Sequence, residues 1–297
     1  MSFNEYRRCE LCYRKCAINR ENTLGYCKMS NELYVSRAAL HFWEEPPISG
    51  TNGSGTIFFS GCSLSCVFCQ NKEISRGRSG KEVTINQLSD IMIRLENDGA
   101  HNINLVTPTH FVPSIAETIR LAKTKGLSIP IVYNTGSYDT VDTLKMLDGL
   151  IDIYLPDLKY YTEKTSEKYS FASNYPRVAK EAIAEMFRQV GEPVFDSKGV
   201  MKKGVIVRIL LLPGHVAEAK LSLKHLLDTY GDSVYVSLMN QYTPMPDVPT
   251  PLNRPVTNEE YEQLLNYAEK IGLKNGFTQD FGTAKESFIP PFDNTGV

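Results

Sequence analysis

Thr56-Ile57-Phe58-Phe59-Ser60-Gly61-Cys62-Ser63-Leu64-Ser65-Cys66-Val67-Phe68-Cys69-Gln70-Asn71 decides both the fold and the chemistry. Residues 56–60 read as a short strand. The chain then turns at once into a loop with three cysteines, separated by three and then two residues. Thiolates are the ligands that hold iron-sulfur clusters, and this spacing lets one compact loop wrap three corners of a cubane. Three ligands leave one iron without a protein ligand, comparable to the open position on a catalytic zinc. The amine and carboxylate of an amino acid could chelate that iron. Buried structural cysteines rarely crowd so closely, and a three-thiolate zinc site would usually recruit a histidine or carboxylate. The loop holds no histidine.

Outward from this loop, strands and helices alternate. Thr84 opens a helix with Gln87 three residues on, a capping box, and Leu88, Ile91, Met92 and Leu95 share its face. Strand segments follow at 102–106, 129–133, 151–155, 205–212 and 234–238. Helices are expected at 114–125, 139–147, 175–190 and 217–230, with Gly126 and Gly191 as stops. Residues 192–204 read as a hairpin or loop excursion. Thr257 and Glu260 cap a last helix bearing Tyr261, Leu264, Leu265 and Ala268. Strands alternating with helices imply parallel strands joined by crossovers. The residues available fall slightly short of the ~250 of a full eight-unit barrel. The expected fold is α/β, an incomplete (β/α)6 TIM-like barrel with a small N-terminal cysteine-rich module. Ligands then belong at the C-terminal strand ends.

Residues 1–50 show no sustained helical or strand period, and a turn-rich stretch from Pro46-Pro47 to Gly55 follows. The division is a metal-binding module over 1–50 and the partial barrel over 51–297. Cys9, Cys12, Cys16 and Cys27 suit structural zinc or a closed second 4Fe-4S cluster that could relay electrons. Arg7, Arg8, Arg14, Lys15 and Arg20 make the module locally basic. His41 reads as a core histidine rather than a ligand.

The seven cysteines fall into these two groups, an odd total that fits metal sites better than a disulfide framework. The net charge of −2 points to neither nucleic acid nor membrane. No apolar run reaches the roughly 18 residues of a membrane span, and the first residues lack the apolar middle of a signal peptide. A cytoplasmic location is expected.

The three-cysteine loop resembles the signature of the radical SAM superfamily, in which a 4Fe-4S cluster reductively cleaves S-adenosylmethionine (SAM) to methionine and a 5′-deoxyadenosyl radical that abstracts hydrogen. The resemblance implies that Cys62, Cys66 and Cys69 bind the cluster and that Phe68 packs near the adenine. A reductant such as flavodoxin or ferredoxin is implied as partner. Four later segments fall where the family places SAM contacts. Thr107-Pro108-Thr109-His110 stands where a Gly-Gly-Glu segment is usual, so Thr107 or Thr109 would meet the methionine amine. Asn134-Thr135-Gly136 resembles the Thr-Asn-Gly segment of the activating enzymes, with Asn134 on the ribose. Asp157-Leu158-Lys159 resembles a segment of pyruvate formate-lyase activating enzyme, and Asp157 and Lys159 would grip the methionine end and ribose. Arg208 resembles the arginine that binds the SAM carboxylate. His110 and His215 are candidate catalytic acid–base groups on the substrate side. Asn240, Gln241 and Tyr242 present polar groups to the same face.

The N-terminal cysteines, the 41–50 segment and Thr107-Pro108-Thr109-His110 resemble an uncharacterised branch related to that activating enzyme. The first functional hypothesis is a radical SAM iron-sulfur oxidoreductase that activates a glycyl-radical enzyme. The second is radical modification of another peptide or a small molecule. A third, of another class, is a non-catalytic metal-binding scaffold or redox sensor.

Overall fold

Each of the six strand segments read from the sequence forms a strand of one parallel array. The computed structural model describes residues 3–77, 79–279 and 290–297. Its strands are β1 (Leu33–His41), β2 (Ser54–Phe59), β3 (Lys81–Val83), β4 (Ile103–Val106), β5 (Ile131–Thr135), β6 (Ile153–Pro156), β7 (Val194–Phe195), β8 (Met201–Leu210), β9 (Tyr235–Met239) and β10 (Gly276–Thr278). The sheet order is β10-β9-β8-β6-β5-β4-β2-β1-β3, with β7 paired to β8. From β2 to β10 every neighbouring pair on this path is parallel. β1 and β3 close one edge in antiparallel fashion. The sheet curls into a partial barrel that stays open between β10 and β3.

The helices form where the capping and periodicity arguments put them. Thr84 accepts from the Gln87 amide while the Gln87 side chain accepts from Thr84, and Leu88, Met92 and Leu95 of the helix Ile85–Asn97 are fully buried. Burial of each such side chain is worth roughly 1.5–3 kcal/mol. Thr257 and Glu260 form a second capping box at the start of Asn258–Lys270. Inside the barrel, Ile48 of the short helix Pro46–Ser49 packs with Val132, Ile153, Leu155, Met201 and Ile206. This apolar plug fills one end. The polar residues at the other end are therefore left facing a cavity.

The structure departs from expectation in three places. Residues 33–41, which show no period, are β1, and its pairing with β2 shifts register between Val35 and Arg37. A bulge of this kind breaks the two-residue alternation. Residues Glu163–Ser170 form a helix whose buried face is Ser166, Tyr169 and Ser170, hydroxyls in place of an apolar stripe. β10 adds a seventh parallel strand beyond β9. The excursion after residue 191 is a hairpin, β7 on β8.

Residues before β1 are mostly irregular, and short links hold them to the barrel. Tyr6 Oη and Ser114 Oγ lie 2.9 Å apart, and Cys12 bridges Asp139 in antiparallel fashion. Among the described residues no helix is long and apolar enough to cross a membrane.

Candidate functional site

The cysteine loop leaves β2 through Gly61, whose φ of +84° suits glycine. A Cβ there would lie 2.3 Å from Met29 Cγ and 2.7 Å from the Cys27 carbonyl, so glycine lets the loop lie against the N-terminal segment. The Val67 amide donates to Tyr169 O (2.9 Å), fixing the middle of the loop. Each sulfur has a polar neighbour. The Leu64 amide donates to Cys62 Sγ (3.4 Å), Ser170 Oγ donates to Cys66 Sγ (2.9 Å), and Ser75 Oγ lies 3.4 Å from Cys69 Sγ. Hydrogen bonds to sulfur stabilise thiolate charge and tune a cluster's potential. Burial pushes the Cys62 thiol up to about 12 and Cys69 upward as well. Thiols this reluctant to ionise in isolation need a cation to become ligands. The donor set of three soft sulfurs beside a cavity of about 230 Å³ fits a cluster. Phe68, Asp157, Lys159, Arg208 and Tyr242 line the same cavity.

Opposite the cysteines, three strand ends bring a charged network together. Lys159 Nζ donates to Asp157 Oδ2 (2.5 Å), and Arg208 donates from Nε to Asp157 Oδ1 (2.8 Å) and from Nη2 to Asn134 Oδ1 (2.6 Å). Burial alone would raise the Asp157 carboxyl, but Arg208 and Lys159 outweigh it and hold it below the usual carboxylate range. Burial likewise works against the Lys159 ammonium, and Asp157 and Cys66 reverse this and raise it. The Tyr175 hydroxyl donates to Asp157 O and receives the Lys159 amide, pinning the segment that carries both charges.

A second cavity, about 150 Å³, adjoins the first through Gln70, Asn71, Arg208 and Gln241. Its walls include His41, Trp43 and Glu44, residues to which the sequence reading gave no site role. Glu44 accepts from Asn104 Nδ2 (2.9 Å) and stands 3.6 Å from Arg208 Nη1. Glu45 is 8% exposed, and its Oε2 has no hydrogen-bond partner among the described residues. Burial drives the Glu45 carboxyl up to about 7 despite the Arg208 charge, with Glu44 adding to the rise. The sequence places two adjacent carboxylates, Glu44 and Glu45, directly before Pro46-Pro47. Burial of such a pair requires compensation, and the Arg208 guanidinium of a distant strand and the Asn104 amide contribute to it. Trp43 is 62% exposed at the rim.

Of the residues singled out from the sequence, Cys66, Cys69, Phe68, Asn134, Asp157, Lys159 and Arg208 line these two cavities, as do Gln241 and Tyr242. The two histidines do not. His110 is buried, with Nε2 2.7 Å from the Ser60 carbonyl and its ring 4.2 Å from Phe111. Burial and the Arg20 charge press its pKa down to about 3, which favours the neutral ring. His215 bonds Pro213 O through Nδ1 (2.7 Å) and packs edge-on against Tyr169 beside the start of Val216–Tyr230. Thr109 Oγ1 turns to Thr135 Oγ1 (3.4 Å), which donates to the buried Asp139. Thr107 takes a left-handed backbone and gives its amide to Asn134 O. Neither threonine lines the two cavities.

Cys9, Cys12 and Cys27 are buried and Cys16 is half-buried. Burial raises the Cys12 and Cys27 thiols. Arg14, between Cys12 and Cys16, donates to Ser63 O (2.8 Å), Phe171 O (2.5 Å) and Ser170 O (3.0 Å). The N-terminal segment therefore clamps the three-cysteine loop and the helix end that bonds Cys66.

The family model of the radical SAM superfamily matches residues 56–227. An uncharacterised protein of Methanocaldococcus jannaschii is 30% identical over 285 residues, covering 91% of this chain and 77% of that protein. Among solved structures, Streptococcus suis SuiB aligns with a TM-score of 0.50 at 13% identity, over 76% of this chain and 48% of SuiB. SuiB bound to S-adenosylmethionine gives 0.51 at 13% identity, over 74% and 48%. The chain spans about half the length of these solved structures, and the likeness is one of fold.

Proposed function

The chain belongs to the radical SAM superfamily, and on that premise we propose that Cys62, Cys66 and Cys69 hold its 4Fe-4S cluster and that the radical acts on a polar hydrogen donor seated in the adjoining chamber. Enzymes of this superfamily use SAM and an external reductant. When bound, the cluster supplies the single electron that splits the SAM sulfonium into methionine and the 5′-deoxyadenosyl radical. The protein's own residues bind, orient and exclude water.

The observation that carries this reading is the Asp157–Lys159–Arg208–Asn134 network on the far wall of the cavity bordered by Cys66 and Cys69. It offers cations for a carboxylate and an anion for an amine or ribose hydroxyl, held rigid by mutual hydrogen bonds. Phe68 gives an aromatic face for the adenine, braced by Tyr160 and Tyr242. Glu44, Gln241 and Asn134 give the neighbouring chamber more polar contacts than a glycine backbone needs, which favours a peptide side chain or small polar molecule as the donor. The second reading is glycyl-radical activation, favoured by the Asp157-Leu158-Lys159 and Asn134-Thr135-Gly136 segments. We assign Cys9, Cys12, Cys16 and Cys27 to a metal centre, zinc or a second cluster, in a module over residues 1–50 that lends β1 to the barrel sheet. None of the seven cysteines is disulfide-bonded, which fits a reducing cytoplasm.

The test is anaerobic incubation with SAM, reductant and a candidate glycyl-radical enzyme. Release of 5′-deoxyadenosine with no glycyl radical by electron paramagnetic resonance supports the first reading. A glycyl radical replaces it with the second. Failure to bind SAM after reconstitution with iron and sulfide overturns both and leaves a scaffold.

A further inference from the structure

Residues 290–297 lie along β1, beside the donor chamber. β3 pairs with β1 at Leu33, Tyr34 and Val35 and stops there. Beyond it the Asn294 amide donates to Ser36 O (3.1 Å) and the Ala38 amide to Thr295 O (2.9 Å). Three cations take up carbonyls of the segment. Arg37 Nη1 donates to Pro291 O (3.1 Å), Arg94 Nη2 to Gly296 O (2.7 Å) and Lys81 Nζ to Val297 O (2.9 Å). Arg37 also pairs with Asp293 (3.1 Å). Gly296 has a φ of +74°, and a Cβ on it would stand 2.0 Å from Ala38 O. Glycine is what lets the segment lie so close to the strand.

The apolar residues of the segment complete the chamber. Pro290 is part of the chamber wall. Phe292 packs edge-on against Phe58, with ring centroids 5.4 Å apart, and joins the cluster of Phe58, Ile74 and Val106. Phe58 and Val106 line the chamber themselves, so Phe292 backs two of its wall residues. The space left is about 150 Å³, below the roughly 300–1,000 Å³ of sites for drug-sized ligands. A polypeptide that binds beside a strand edge commonly adds to that edge as a further strand. At Ser36 and Ala38 the chain's own segment already occupies the edge, held by backbone bonds, three cations and a ring.

We infer that residues 290–297 set the size of the hydrogen donor: they close the β1 edge to an extended polypeptide, and the chamber they wall takes a small polar molecule. Pro290 and Phe292 determine that specificity. Arg37, Arg94 and Lys81 are positioning residues that act through the segment. This rests on the reading of the chamber as the donor's seat given above, and it chooses the small molecule over the peptide side chain.

The test compares the reconstituted full chain with a Gly296→Val variant, whose new side chain collides with Ala38 O. A synthetic peptide of the segment's own sequence, Pro-Pro-Phe-Asp-Asn-Thr-Gly-Val, is the polypeptide probe, and glycerol is the small polar one. In hydrogen exchange, the Ala38 amide is expected to be protected in the wild type, exposed in Gly296→Val, and protected again when the peptide is added to the variant. Equal exchange in the two proteins overturns the filled edge. Access to the chamber is read by deuterium transfer from perdeuterated glycerol, or from the peptide perdeuterated at its prolines, into 5′-deoxyadenosine. A carbon–deuterium bond of the probe breaks, one forms at the 5′ carbon, and excess dithionite reduces the probe radical. The wild type is expected to take deuterium from glycerol and not from the peptide. Gly296→Val should raise transfer from the peptide at least about tenfold, the scale on which pocket shape discriminates. Wild-type transfer from the peptide equal to that from glycerol, or no gain in the variant, overturns the inference. If Gly296→Val does not fold, Phe292→Ala, which removes only the ring on Phe58, is held to the deuterium result. If neither protein releases 5′-deoxyadenosine, the catalytic reading fails, and the exchange result alone stands for or against the filled edge.

Discussion

Replacing Glu45 by glutamine isolates the electrostatics of the Glu44–Glu45–Arg208 cluster. The Glu45 carboxyl is held up to about 7, against an ordinary 4.5, by burial and by Glu44 beside it, with Arg208 offsetting part of the rise. Because the folded protein binds this proton more tightly than the unfolded chain, the native state is favoured at low pH. The associated stability is fully present below about 4.5 and is lost as pH rises to about 7. The difference corresponds to roughly 3 kcal/mol at pH 8, where the native state holds an unwelcome charge or takes up a scarce proton. Glu45→Gln removes that cost. The variant is expected to melt several degrees above wild type at pH 8, at about 2–4 °C per kcal/mol. The gain should shrink toward zero near pH 5. The assay is thermal unfolding of the reconstituted full chain, followed by circular dichroism at both pH values and one scan rate. A variant no more stable than wild type at pH 8, or a gain independent of pH, would refute the reasoning.

Two other perturbations separate structural from chemical roles. His110→Ala should cost roughly 1–3 kcal/mol by removing the partner of the Ser60 carbonyl, yet leave the shape of the pH–rate profile for SAM cleavage unchanged. A lost ionisation in that profile would restore His110 as an acid–base group. Gly61→Ala places a Cβ 2.3 Å from Met29 Cγ on a left-handed backbone, with a cost of about 1–3 kcal/mol. Limited proteolysis should then cut the N-terminal segment faster than in wild type, and unchanged resistance would contradict the packing described.

The parallel array was legible because its strands are apolar on both faces and its helices carry caps and an apolar stripe. The capping boxes at Thr84 and Thr257 are both present. β1 was not legible, since the bulge between Val35 and Arg37 erases alternation. The Glu163–Ser170 helix was hidden for a related reason, as it buries serines and a tyrosine. In the site, the two-residue alternation that sets Asp157 beside Lys159 could be read locally, and so could the cost of Arg208 in an apolar strand. Which anion would compensate Arg208 depended on tertiary contacts, and Glu44 is distant in sequence. The structure sets His110 and His215 apart from the two cavities, a placement their sequence context does not give. A neutral-range pKa in a loop invites an acid–base role, but for His110 burial and a neighbouring arginine remove it.

If SAM is cleaved at the three-cysteine loop, Cys66→Ala abolishes the cleavage. The full chain and the variant, both reconstituted with iron and sulfide, are given SAM and dithionite, and 5′-deoxyadenosine is measured. Release is expected to fall to the level of a protein-free control while the far-ultraviolet circular dichroism stays that of the wild type. Undiminished release from the Cys66→Ala protein would contradict it.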